Sequence, residues 1–152
     1  MSEVRATEKK VGAEILVVGL SRTSSHSVSK NSKSGNQPTL QIESGDMAID
    51  TAELIDALEE MGATGTPDEV IKLPASGYKL LVLTGLGESK AVYSYETLRR
   101  ASGAAARSLH GQSVATFSLP YDSLQGLAAI AEGALLGAYA FHEFRGSGTT
   151  ER

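Results

Sequence analysis

The sequence predicts an α/β fold, a three-layer sandwich around a mostly parallel mixed sheet. Three observations carry that expectation. Apolar runs of strand length recur at residues 13–20, 78–84 and 113–120, the composition of strands buried on both faces. Helical patterns follow or separate them, giving the order β, α, β, β, α, β, α. The chain has 152 residues, 41% of them hydrophobic and 21% charged, which is enough for one domain with its own core.

Taken in order, the first strand is "AEILVVGL", residues 13–20. The basic pair before it does not make a signal peptide, because the apolar run is short and no small-residue cleavage site follows. Residues 21–46 then change texture, with eight serines, three Lys/Arg and no acid before Glu43. This composition predicts a polar, mobile loop with room for a short strand at "TLQIE". The next segment, "DTAELIDALEEMG", reads as a helix, with Asp50 and Glu53 as a capping box and Gly62 as the left-handed residue after its end. Two strands, 69–73 and 78–84, follow around a Pro-Ala-Ser-Gly turn. Ser94 caps a second helix running to Gly111, with Leu98, Ala101, Ala105 and Leu109 on its inner stripe and Gly103 and Ala104 allowing close packing. After the strand at 113–120, a last helix spans residues 122–144. Its inner stripe is expected to be Leu124, Leu127, Ala128, Ala131, Leu135 and Ala138.

Composition excludes several function classes. With no Cys there is no thiolate nucleophile, disulfide frame or Cys-based metal site, and a reducing cytoplasm fits. The net charge of -4 argues against a nucleic-acid partner, since duplex binding is driven by basic surface. Residues 47–152 hold eight Lys/Arg against thirteen Asp/Glu. No apolar run is long enough for a membrane span, so no membrane partner is expected.

Motifs with chemistry are few. His142-Glu143 opens the pattern H-E-x-x-H, but Gly146 stands where the second His belongs, and His26 and His110 have no ligand spacing to it. "LVLTGLGES" is a strand running into glycines, the place where α/β proteins hold phosphates. G-x-G-x-x-G fails, however, because Lys90 replaces the third glycine, and the next helix starts only at Ser94. Gly85 and Gly87 are ligand-loop candidates whose commoner use is a turn. Gly133 and Gly137 form G-x-x-x-G, with Gly126 near the same azimuth and Leu136 and Phe144 flanking the strip. That strip either buries inside the domain or forms a docking surface for a second domain or subunit. Arg99, Arg100 and Arg107 could form a small anion patch, although exposed arginines of this kind are ordinary surface. No G-x-S-x-G elbow and no Ser-His-acid order is present.

The stretches "ALEEMGATGTPDEVIKLPA", "LLVLTGLGE", "YETLRRASGAAARSL" and above all "AIAEGALLGAYAFHEFR" resemble the N-terminal domain of the leucyl (cytosol) aminopeptidase family, over residues 48–145. The resemblance implies a macro-domain-like, non-catalytic N-terminal α/β domain over residues 1–145, with 146–152 starting an interdomain linker. It places two divalent metals, zinc or manganese, in a separate C-terminal domain. The signatures of that domain, "GKGxTFDSGG" and "NTDAEGRL", are absent here, and the "GSGTTER" ending is expected to lie in mid-linker. On this resemblance the chain has no catalytic residues, metal ligands or cofactor of its own. Its partners would be its own catalytic domain and sister subunits of a cytoplasmic homohexamer, and its role oligomer assembly or regulation. Some bacterial members bind DNA through basic surfaces of this domain, but the acidity here departs from that role and only residues 22–33 are basic. An alternative, carried by the sandwich order and the Gly85–Gly87 loop, is a freestanding macro-like module binding ADP-ribose or a related nucleotide.

Overall fold

The computed structural model describes Glu3, Arg5 and residues 14–23, 39–44, 49, 51–75, 77–109, 112 and 114–139. The first strand, β1 (Ile15–Thr23), is buried from Ile15 through Ser21. Its two faces build two cores. Leu16, Val18 and Leu20 point to one side of the sheet, with Leu81 and Leu83 beside them. Ile15 and Val17 point to the other, with Val82. An alternating strand covered on both faces requires layers above and below it.

Around β1 lie β2 (Thr39–Glu43), β3 (Val70–Ala75), β4 (Tyr78–Glu88) and β5 (Thr116–Ser118). β4 runs parallel to one edge of β1, and β3 closes that side antiparallel to β4. The other edge of β1 is shared. Leu16–Val18 pair in parallel with β5, whereas Gly19–Thr23 pair antiparallel with β2. The Ser118 hydroxyl donates to the Ser44 carbonyl, tying together the ends of the two strands that share the edge. The sheet is mixed as expected, with parallel ladders at the centre and antiparallel ones outside. The short "TLQIE" strand forms as β2; the rest of the serine-rich segment, 24–38 and 45–48, lies outside the described residues.

Helix α1 (Ala52–Glu60) covers the Leu16 side through Leu58, which is fully buried, and Leu54. Thr51, the residue before it, is in αR conformation and makes no side-chain cap bond, and Asp50 of the expected capping box lies outside the described residues. Its end follows the expectation. Gly62 has φ +77°, its N–H bonds the Glu59 carbonyl, and the Ala63 N–H bonds that of Leu58, the paired closure of a Schellman motif.

Helix α2 (Tyr95–Ser108) covers the opposite face. Ser94 caps it, its hydroxyl accepting from the Thr97 N–H at 3.1 Å. Leu98, Ala101, Ala105 and Leu109 are all buried, as the stripe predicted. Two side chains bolt α2 to the sheet: the buried Thr84 hydroxyl donates to the Ala101 carbonyl at 2.8 Å, and Lys72 Nζ donates to the Ser108 carbonyl at 2.8 Å. The second contact sets a cation against the negative end of the helix. Helix α3 (Leu124–Ala138), capped by Ser123, lies against α2 and reaches over β5 through Ala129 and Ile130, which join Phe117 and Leu119. It ends earlier than expected, since Tyr139 is already extended. His142, Glu143, Phe144 and the expected linker at 146–152 lie outside the described residues.

Candidate docking surface

The α2–α3 contact decides which face of α3 remains free. Gly133 and Gly137 lie on the seam. A Cβ on Gly133 would sit 2.1 Å from Ser102 Oγ and 2.2 Å from the Arg99 carbonyl oxygen; one on Gly137 would sit 2.3 Å from the Gly103 carbonyl oxygen. Backbone therefore rests on backbone, a closeness that only glycine and other small residues permit. Gly126, Ala129, Ile130 and Ala134 complete the buried face. The seam is clamped at its rim by Arg99, which bonds Glu132 across the helices at 3.1 Å and Glu96 at 2.9 Å. These bonds, to Glu132 first and then Glu96, hold the guanidinium pKa above its usual value.

This corrects the expected orientation by half a turn. The sequence leaves the glycine strip either buried or docking and expects the leucine stripe inward; the structure buries the glycines and turns the leucines out. Leu124 is 81% exposed, Leu136 69% and Tyr139 67%. Leu135, Ala128 and Ala138 are exposed along the same face, with Leu127 and Ala131 at its margin. The cause is the surface that α2 offers. Ser102, Gly103 and Ala106 form a small-residue face, and close approach of two such faces excludes water better than a leucine ridge held off by its own bulk. Of the expected docking residues, Leu136 is on the free surface, Gly133 and Gly137 are not, and Phe144 is outside the described residues.

The apolar surface continues past the start of α3. Tyr95 Oη lies 3.5 Å from Ser123 Oγ, and Tyr121 Cβ stands 3.2 Å from where a Gly126 Cβ would be. Both tyrosines are exposed. Glu132 is the single charge on α3.

The Gly85–Gly87 candidates occupy neither a turn nor an open loop. Both lie within β4, where the register shifts: Leu20 faces Gly85 and Ser21 faces Gly87, leaving Leu86 as the extra residue of a bulge. The 64–69 segment is hydrogen-bonded over them, Gly85 N–H to the Glu69 carbonyl and Gly87 N–H to the Gly65 carbonyl, both at 2.8 Å. A Cβ at Gly85 would fall 1.8 Å from the Thr66 oxygen. Gly85 is thus required by close approach and Gly87 by its φ of +81°, with backbone lying where a phosphate would have to sit.

Arg99 and Arg100 are also committed elsewhere, Arg100 to Asp68. Among the described residues no group of three or more His, Asp or Glu is arranged to hold a metal ion. His26, His110 and His142 lie outside them.

One polar cluster escaped sequence reasoning. The Tyr93 hydroxyl donates to Glu43 Oε1 at 2.6 Å, and the fully buried Ser21 hydroxyl donates to the same oxygen at 2.9 Å. Burial, then the bond to Glu43, raises the Tyr93 pKa above 10.0. The three residues are widely separated in sequence: the pairing of β1 with β2 brings Ser21 to Glu43, and the segment between β4 and α2 brings Tyr93.

Against this geometry, the chain matches the family described as "Cytosol aminopeptidase family, N-terminal domain" over residues 17–147. The chain belongs to the cytosol aminopeptidase family. A protein of Streptomyces griseus named "Probable cytosol aminopeptidase" is 48% identical over 111 residues, covering 67% of this chain and 22% of its own length. One of Rhodococcus erythropolis with the same name is 38% identical over 141 residues, 90% of this chain and 25% of the relative. Among solved structures, the bottromycin maturation enzyme BotP superposes with a TM-score of 0.56 at 18% identity, covering 89% of this chain and 25% of BotP. That likeness concerns the fold. The chain spans about a quarter or less of the length of these cytosol aminopeptidases and of BotP, and the matched family region is the N-terminal domain.

Proposed function

We propose that this chain is the non-catalytic N-terminal domain of a cytoplasmic metallo-aminopeptidase and that it serves oligomer assembly or regulation. The observation that carries the role is the outer face of α3, a leucine-bearing helix surface left uncovered while the helix's glycines do the internal packing. Apolar surface of this kind marks interaction sites. Membership of the family and the short span relative to its members support the rest. In this reading residues 1–145 are the domain, 146–152 begin the linker, and two divalent metals belong to the catalytic part of the parent. The described residues do not fit such a centre, so no chemical step is assigned to them. The partners are the catalytic domain and sister subunits of a homohexamer.

The nucleotide-binding alternative loses its motive, because the Gly85–Gly87 bulge is covered by Thr66. Isothermal calorimetry with millimolar ADP-ribose is expected to show no binding heat. To test the assembly role, the full-length parent is compared with a form lacking residues 1–139. The expected result is that the parent hydrolyses leucyl p-nitroanilide with manganese and that the deletion lowers the number of subunits per particle, read by light scattering, or alters its rate. A deletion that changes neither assembly nor rate contradicts the role.

A further inference from the structure

The segment that lies over the β4 bulge is closed by an anion of its own. Residues 64–69, Thr-Gly-Thr-Pro-Asp-Glu, double back so that the Glu69 side chain meets the start of the same segment. Glu69 Oε2 accepts from the Gly65 N–H at 2.6 Å, from the Thr64 N–H at 3.2 Å and from the Thr64 hydroxyl at 3.3 Å. Glu69 Oε1 also lies 3.3 Å from the Thr64 nitrogen. Two successive backbone N–H groups therefore converge on one carboxylate, the second on a residue with φ +69°. This is the concave arrangement in which backbone holds anions, and such charge-assisted bonds are stronger than neutral ones. The two ends that the carboxylate draws together have a further duty. The Gly65 and Glu69 carbonyls accept the Gly87 and Gly85 N–H groups, on either side of Leu86. Leu86 in turn is buried with Tyr93, Leu98, Leu119 and Ile130. Closing the segment thus sets the spacing of the two acceptors that hold the bulge. The parallel strands β1 and β4 end here, and the carboxyl ends of parallel strands are where α/β proteins place anionic ligands.

We propose that the Thr64–Gly65 backbone is an oxyanion-binding nest whose built-in ligand is the Glu69 carboxylate, and that with this carboxylate removed the nest takes a free oxyanion in its place. Glu69 is a positioning residue: it acts through the Gly65 and Glu69 carbonyls on the bulge. The neighbouring charge is already used, since Asp68 pairs with Arg100. In the intact chain the nest is filled, so this end of the sheet turns free phosphate away by occupying its place with a carboxylate as well as with backbone.

The test is chemical rescue of Glu69→Ala in the 152-residue chain, followed residue by residue in amide NMR spectra. Sodium formate and inorganic phosphate are titrated separately to about 100 mM, a range that reveals a weak site by mass action. Phosphate also stabilises folded chains generally by exclusion from their surface, so each response is read against the wild type and against sodium chloride of equal ionic strength. In the variant, the Thr64 and Gly65 amides should shift saturably with formate, with phosphate or with both, and in the wild type with neither. Loss of the carboxylate should speed hydrogen exchange of the Gly85 and Gly87 amides about tenfold, as for a locally loosened segment, and the bound anion should reverse this. Which anion acts distinguishes a carboxylate nest from one that also takes tetrahedral oxyanions. No saturable shift with either anion overturns the proposal, as does an equal shift in the wild type. If Glu69→Ala does not fold in plain buffer, the readout becomes recovery of its far-ultraviolet circular dichroism, and no recovery with either anion overturns the proposal. Glu69→Gln, which keeps the side-chain shape and fold, should exchange faster than the wild type at Gly65. Wild-type protection there would show that the nest needs no anion, which also overturns it.

Discussion

Gly133 and Gly137 show how far one hydrogen atom determines an interface. Alanine in a helix interior ordinarily stabilises relative to glycine by roughly 0.5–1 kcal/mol. Here the added methyl would meet carbonyl oxygens at 2.2 and 2.3 Å, and backbone cannot swing away as a flexible side chain can. Gly133→Ala and Gly137→Ala are therefore expected to destabilise by about 1–3 kcal/mol, the usual range for overpacking. Urea unfolding checks this, and a gain in stability would show that α2 and α3 are looser than the structure has them. Tyr93 offers a second residue-scale test. Its pKa is raised in the fold by burial and by the bond to Glu43, so above pH 10 the unfolded chain releases this proton while the folded chain retains it. The unfolded state then binds fewer protons, and stability falls as pH rises from that point. The Tyr93 contribution is fully present below pH 10. Tyr93→Phe should flatten the alkaline decline in a series of denaturant midpoints, and a decline as steep as in the wild type would place its cause elsewhere.

At the scale of elements, the two helix starts differ in a way that predicts different sensitivities. Ser94 bonds the Thr97 N–H, and Ser94→Ala should cost about 1 kcal/mol in the denaturant midpoint through the lost cap. Thr51 makes no such bond, so Thr51→Ala should stay within about 0.5 kcal/mol. The elements themselves were largely legible. β1 announces itself by the unbroken apolar run 15–20, α2 by its stripe and cap, and the α1 terminus by Gly62. The end of β4 was not legible. "TGLG" carries turn residues, yet the strand continues through it, because a bulge lets Leu86 enter the core while the 64–69 segment bonds over the glycines. Local composition cannot announce a bulge whose cause is another segment lying against it. The outer face of α3 was misread for a related reason: glycines and leucines on opposite sides of a helix are both compatible with burial, and the neighbour decides between them.

For the whole molecule, the proposed non-catalytic role predicts a fold whose stability does not depend on metal ions. Among the described residues no metal-holding group is present, and no helix is long and apolar enough to cross a membrane. Excess EDTA or 1 mM manganese, chosen as ligand conditions on the order of those that bind a resident site, should leave the melting temperature of the 152-residue chain within about 1 °C of its value in plain buffer. A shift of several degrees would reveal a metal site on this chain.

The amino-acid sequence alone determined the fold class, most of the elements, the two helix ends set by Ser94 and Gly62, and the resemblance to the aminopeptidase N-terminal domain. These are local matters of periodicity, capping and turn chemistry, each contained within a few consecutive residues. Only the tertiary structure decided which face of α3 meets α2, what fills the space above Gly85, and that Ser21, Glu43 and Tyr93 share one carboxylate oxygen. Each of those depends on how closely two distant segments approach. That distance is set by the shapes of both surfaces together, so neither segment carries it by itself.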